Sequence, residues 1–130
     1  MSKMIEIAES VLNKNDLHYV KVNPEVIHLQ MSGATIAIAA DEERSVVKIQ
    51  GYISVGLEGD KLTDAYKLVN EWNCDHVVKY YIDNDGDMMT EWFIDTEDGA
   101  FNEMVFNAGF GRIVSALREA KEPVMKLRYT

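Results

Sequence analysis

Residues 68–73, LVNEWN, and residues 79–95, KYYIDNDGDMMTEWFID, decide the fold of this chain. The first stretch closes a helical pattern. The second contains most of two short strand patterns, Val77–Ile82 and Met88–Ile94, which are joined through Asn84–Asp87. An Asp-Gly pair favours a turn with positive φ, which suits the right-handed twist of paired strands. These residues therefore predict a helix that leads directly into an antiparallel β-hairpin.

A helix that ends in LVNEWN and leads into this hairpin resembles the YbjN-like family, described as bacterial sensory-transduction regulators. That family is similar in fold to the class I type III secretion chaperones. The resemblance implies a non-enzymatic, protein-binding role and a homodimer that holds an extended segment of a partner. The family-motif residues Asn70, Trp72, Asn73 and Gly86 are expected to be structural. Asparagine near the end of a helix caps carbonyls or adopts a left-handed turn, and tryptophan packs in the core.

Hydrophobic periodicity predicts the elements that precede this stretch. Residues 2–14 have helical spacing, and four strand patterns follow, at Leu17–Val22, Val26–Met31, Ala34–Ala40 and Ser45–Ile53. Their short connections imply antiparallel neighbours, because parallel pairs need long crossovers. The core face of the sheet is expected to carry Ile36, Ile38, Val47, Ile49 and part of the hairpin.

Two further helices complete the pattern. One starts with Asp60 as its N-cap and has a single apolar stripe, and the other spans residues 101–121. The stripe consists of Leu62, Ala65, Tyr66, Val69 and Trp72. Pro24 and Pro123 fit the edges of elements. The order helix, three or four strands, helix, two strands, helix predicts one α+β domain over residues 1–130, with an antiparallel sheet of five or six strands.

The last predicted helix is apolar on two sides. Phe106, Phe110, Ile113 and Leu117 form one face, and Met104, Val105 and Ala108 fall nearly opposite. A helix that is apolar on both sides is buried on both sides. One face can cover the sheet, and a second copy of the chain is the cover expected for the other. The sequence leaves open which of the two faces meets the partner.

Composition limits the classes of partner. The chain has 130 residues and a net charge of −9, with 47% hydrophobic residues. Nucleic-acid and anionic-membrane binding are disfavoured, because both depend on an excess of lysine and arginine. A basic protein partner would suit the acidic surface. Cys74 is the single cysteine, and residues 1–15 contain no long apolar run, so a reducing cytoplasm is expected.

No catalytic, cofactor or metal site is expected from the residue pattern. If Gly86 were the sixth position of a calcium loop, Tyr81 and Trp92 would occupy ligand positions they cannot fill, so Asp83, Asp85 and Asp87 indicate a solvated turn. Cys74 and His76 lie two residues apart, a spacing at which helical side chains do not face each other. The three histidines are scattered, and none forms an i, i+4 pair.

Three functions remain open on this pattern. The first is the protein-binding regulatory or chaperone-like module that the resemblance implies. The second is a small enzyme that uses the acidic surface or the region of Cys74. The third is an acidic mimic of nucleic acid that blocks a DNA- or RNA-binding protein. A broad apolar groove would favour the first, a deep pocket with perturbed acids the second, and a regular acidic stripe the third.

Overall fold

A computed structural model describes residues 3–31, 33–97 and 101–129, so Ser2, the first residue of the predicted N-terminal helix, lies outside the described residues. The elements follow the predicted order and confirm the α+β class. They are α1 (Lys3–Lys14), β1 (Val20–Asn23), β2 (Val26–Met31), β3 (Ala34–Asp41), β4 (Val46–Ile53), α2 (Asp60–Asp75), β5 (Lys79–Ile82), β6 (Met88–Asp95) and α3 (Glu103–Tyr129).

The six strands form one antiparallel sheet in the order β1-β2-β3-β4-β6-β5. Helix α2 connects β4 to the far edge strand β5, and β6 then returns between them. Strand alternation places Ile36, Ile38, Val47 and Ile49 on one face, and all four are fully buried, as predicted. The three helices pack on this same face and share one hydrophobic core with it. The opposite face carries no helix among the described residues.

Helix α3 packs its predicted aromatic face inward. Phe106 and Ile113 are fully buried, and Phe110 and Leu117 are nearly so. Because these four side chains belong to the core of the single chain, they have almost no area to lose to a partner. The second apolar face stays open, since the side chain of Met104 is 79% exposed.

Pro123 lies inside α3, so the prediction that it lies at the edge of an element is wrong. The helix continues to Tyr129, about two turns past the predicted end at residue 121. Proline removes one backbone hydrogen bond and strains the preceding turn. Val124 is fully buried beyond it, and Met125 and Leu127 pack against the core. The burial of these apolar side chains outweighs the local cost of proline.

Helix α2 differs from its prediction at two residues. Gly59 occupies the N-cap without a side-chain hydrogen bond, and Asp60 is already the first helical residue. A carboxylate in the first turn still interacts favourably with the positive end of the helix dipole. Tyr66 is 51% exposed, whereas Ala65 and Val69 are buried, so the buried stripe is narrower than predicted.

Candidate functional site

The motif helix is joined to the hairpin through Asn73. Its side-chain Oδ1 accepts a hydrogen bond from the Tyr80 backbone N–H at 2.8 Å, and its Nδ2 donates to the Tyr80 carbonyl at 2.9 Å. The Trp72 ring packs on the Tyr80 ring with 5.1 Å between centroids. Asn73 therefore fastens α2 to an edge strand instead of capping its own helix. Asn70, in the same motif, is exposed.

Replacing Asn73 with alanine should lower the free energy of unfolding by about 2 kcal/mol, because two backbone groups of Tyr80 lose their partner. Asn70→Ala is the matched control, since that side chain makes no hydrogen bond with the described residues and the change removes the same atoms from the same helix. Urea denaturation measures the free energy of unfolding of both variants. Equal effects of the two substitutions would remove the structural role assigned to Asn73.

The hairpin turn is locked onto the loop that precedes α2. Gly86 has a φ of 77°, and its carbonyl accepts a hydrogen bond from the Leu57 N–H at 2.9 Å. A Cβ at this position would lie 2.2 Å from the Leu57 carbonyl oxygen. Glycine is therefore required both by the backbone conformation and by the close approach.

Asp87 is buried, which corrects the prediction of a wholly solvated turn. One carboxylate oxygen accepts hydrogen bonds from the N–H groups of Val55 and Gly56 at 2.7 and 2.9 Å, and the other accepts one from the Tyr52 hydroxyl at 2.8 Å. Burial opposes ionisation of Asp87, but these three hydrogen bonds together outweigh it and hold its pKa below the ordinary value.

The three turn aspartates lie close together, with carboxylate oxygens within 4.8 Å of one another. The Asp83 carboxylate accepts hydrogen bonds from the N–H groups of Asp85 and Asp87 at 2.9 and 3.0 Å. Since the Asp87 oxygens are also occupied by protein donors, the cluster serves the turn and the loop it holds.

The side chains of Cys74 and His76 have different surroundings. Cys74 is exposed. The His76 ring lies 3.1 Å from the Trp72 carbonyl through Nδ1, and its Nε2 lies 3.3 Å from a carboxylate oxygen of Glu119 on α3. This histidine thus ties the end of α2 to α3.

The two edges of the sheet have different surfaces. Helix α2 covers the edge strand β5. The Glu91 side chain on the neighbouring strand β6 is buried, and its carboxylate accepts hydrogen bonds from the Tyr81 hydroxyl and the Gln50 side-chain amide, each 2.8 Å long. Burial and the neighbouring Glu91 carboxylate raise the pKa of Tyr81 to about 12. Edge strand β1 is exposed along its whole length, with Val20 and Val22 67% and 54% exposed.

A groove lies between the start of β5 and the middle of α3. Its volume is about 460 Å³. Val78 and Ala116, both buried, contribute apolar walls. Arg112 and Glu119 line it from α3, about two helical turns apart, and Tyr80 lines it from β5. Sequence reasoning did not find this groove, because its two walls are distant along the chain.

The model of the YbjN family, described as "Putative bacterial sensory transduction regulator", matches residues 6–105. The chain belongs to this family. The match includes the motif helix and the whole hairpin, so it confirms the resemblance noted in the sequence. No curated protein sequence matches the chain. Among the described residues, no helix has the length and apolar character needed to cross a membrane.

Solved structures of low sequence identity have the same fold as this family member. YbjN from E. coli, described as a putative transcription regulator, is 11% identical with a TM-score of 0.59, and the alignment covers 95% of this chain and 87% of that chain. The ExoU–SpcU heterodimer of the type III secretion system of Pseudomonas aeruginosa gives 18% identity and a TM-score of 0.60, with coverage of 91% and 94%. The Yersinia pestis type III secretion chaperone SycH, in complex with a fragment of YscM2, is 11% identical with a TM-score of 0.57, and the alignment covers 96% of this chain and 99% of that chain.

Proposed function

We propose that this chain is a non-enzymatic, protein-binding module of a regulatory or chaperone-like kind, which holds an extended segment of its partner. The free edge of the sheet at β1 carries the proposal. The exposed edge of a strand offers unpaired N–H and C=O groups to another chain. A partner segment added as a further strand would satisfy them, and its apolar side chains would contact Val20 and Val22.

Two further observations support this proposal. SycH was solved in complex with a fragment of YscM2, and SpcU as a heterodimer with ExoU, so proteins of this fold bind other proteins. Natural edge strands are commonly protected by lysine, proline or a covering element. In β1 the single basic residue, Lys21, pairs with Glu9 of α1 at 3.1 Å, which leaves the valines unprotected.

The double substitution Val20→Lys/Val22→Lys should abolish partner capture without unfolding the chain, because both side chains are exposed and edge lysines oppose strand addition. Thr63→Lys/Tyr66→Lys is the matched control, with the same added charge at exposed positions of α2. Affinity capture from native cell extract, quantified by mass spectrometry, measures the loss. A partner retained equally by both variants would contradict binding at β1.

The second apolar face of α3 supports a homodimer as the working assembly. Met104 and Val105 are 79% and 36% exposed, and Ala108 beside them is also exposed. A stable interface buries about 800 Å² on each partner, more than these side chains supply alone, so neighbouring elements must contribute. We also propose that the partner protein is basic, because the chain carries a net charge of −9. A reducing cytoplasm suits the exposed thiol of Cys74.

Met104→Glu/Val105→Glu should convert the dimer to a monomer of 14.8 kDa, since pairing would bury two like-charged carboxylates on each copy. Light scattering on a sizing column at micromolar concentration gives the mass. The control is Phe93→Glu, which places a carboxylate on an exposed apolar residue of the open sheet face. A monomeric wild-type chain would contradict the dimer, and a dimeric double variant would exclude this face.

A further inference from the structure

The groove beside α3 is lined by a tyrosine hydroxyl that has no hydrogen-bond partner among the described residues. Tyr80 is 3% exposed and lines the groove, and its hydroxyl makes no hydrogen bond with any residue in the described parts of the chain. Burial, followed by the charge of Glu119, raises the pKa of Tyr80 to about 12, so the hydroxyl remains a donor at neutral pH. Because the hydroxyl opens into the groove and has no partner in the described residues, it is available to a ligand bound there.

Opposite charges stand at the two ends of the groove. The Arg112 guanidinium lies 4.9 Å from the centre of the Trp92 ring and makes no ion pair within residues 3–31, 33–97 and 101–129. Glu119 holds His76 at 3.3 Å, yet its side chain is 65% exposed and has room for another donor. Arg112 and Glu119 are seven positions apart, so their Cα atoms are separated by about 10.5 Å along the helix.

Gly111 leaves the space between these charges open. Glycine inside a helix lowers its stability relative to alanine. At Gly109 close packing explains the residue, because a Cβ would lie 2.9 Å from side-chain atoms of Trp92 and Ile94. At Gly111 a Cβ would meet nothing within 4 Å, although the residue lines the groove. The chain's own packing therefore does not require glycine at this position, whereas a bound molecule would benefit from the space.

We propose that this groove binds a short apolar peptide of about three residues with both ends free. Its terminal carboxylate would bind Arg112 and the Ser115 hydroxyl, its terminal ammonium Glu119, and a backbone carbonyl the Tyr80 hydroxyl. Three extended residues span about 10 Å, which matches the separation of the two charges. Pockets for small molecules commonly have volumes of about 300 to 1,000 Å³, a range that includes this groove. The site is separate from the proposed partner surface, because β5 and β1 lie at opposite edges of the sheet.

The tripeptide Ala-Leu-Ala, titrated into the full chain and followed by NMR chemical shifts, tests the proposal. Binding should be saturable and weaken about tenfold or more in Tyr80→Phe, since that change removes only the hydroxyl. Gly111→Leu should abolish binding while the chain stays folded, because its Cβ meets no neighbour. Failure to bind at millimolar concentration, or binding unchanged in Gly111→Leu, would overturn the proposal.

Capped peptides identify which end each charge recognises. The C-terminal amide should bind about tenfold or more weakly to the wild type, and Arg112→Gln should bind the free acid and the amide equally. Lys48→Gln, on the opposite sheet face, is the charge-matched control and should keep the preference for the free acid. The N-acetylated peptide should bind more weakly than the free peptide, because it has no terminal ammonium to pair with Glu119. Equal binding of doubly capped and free peptide would mean that the groove takes an internal chain segment, and would overturn the proposal.

Discussion

Replacing Gly86 with alanine should lower the free energy of unfolding by about 4 kcal/mol, near the upper end for single substitutions. An L-residue at a φ of 77° costs about 1–2 kcal/mol. The added Cβ would also lie 2.2 Å from the Leu57 carbonyl oxygen, so either the turn or the loop must move. That movement would break the 2.9 Å hydrogen bond between the Leu57 N–H and the Gly86 carbonyl.

Gly56→Ala is the control that separates these two costs. Its φ of 65° is similar, but a Cβ there meets nothing within 4 Å. It should therefore lose only the conformational part, about 1–2 kcal/mol. Urea denaturation of both variants gives the difference. Equal losses would show that contact with Leu57 contributes nothing, contrary to the lock between the turn and the loop.

Asp87→Asn should lower the free energy of unfolding by about 3 kcal/mol at neutral pH. The buried carboxylate accepts three hydrogen bonds, and hydrogen bonds to a charged group are stronger than those to a neutral amide. Asp85→Asn, at an exposed position of the same turn, is the control and should change stability by less than about 0.5 kcal/mol.

The stabilisation by Asp87 should depend on pH in one direction. Its pKa in the folded chain is lowered, so the contribution is fully present above the ordinary carboxyl pKa and is lost as pH falls through the lower folded value. The difference in unfolding free energy between the wild type and Asp87→Asn should therefore shrink in acid. If the difference in unfolding free energy stays constant as the pH falls through the folded pKa of Asp87, a charged role for this residue is contradicted.

The regular part of the fold could be predicted from local patterns. The bounds of β2 were predicted as observed, and β3, β4 and β6 each differ by one residue at one end. Alternation of apolar and polar residues identifies a strand with one buried face, and the sheet has that arrangement. The first predicted strand began at Leu17, but β1 begins at Val20, and none of its four residues is buried. Its side chains therefore give little signal of where pairing starts.

The remaining differences arise from contacts between distant residues. Pro123 stays in a helix because residues after it reach the core, and sequence spacing alone does not reveal that core. Asp87 looks like any turn aspartate until the loop at Val55 and Gly56 lies against it. Asn73 hydrogen-bonds to Tyr80, and this partner depends on how α2 meets β5, which spacing along the chain does not reveal.

The candidate surfaces could be predicted only in part. The double-sided pattern of α3 identified Met104 and Val105 as one of two open possibilities, and the structure leaves that face exposed. The groove beside α3 had no sequence signature, because Arg112 and Glu119 look like ordinary solvated charges of a helix surface. Only the Tyr80 hydroxyl, which opens into the groove between β5 and α3, distinguishes them.

Hydrogen–deuterium exchange on the captured complex tests partner binding at the sheet edge most directly. Backbone amides of β1 that point away from β2 should exchange fast in the free chain, because this edge is exposed. When the partner is bound, exchange over Val20–Asn23 should slow, since an added strand supplies acceptors. Slowed exchange at β1 in the wild type, absent in Val20→Lys/Val22→Lys, is the result expected for a protein-binding module that holds an extended segment. Unchanged exchange at β1 in a complex that demonstrably forms would contradict it.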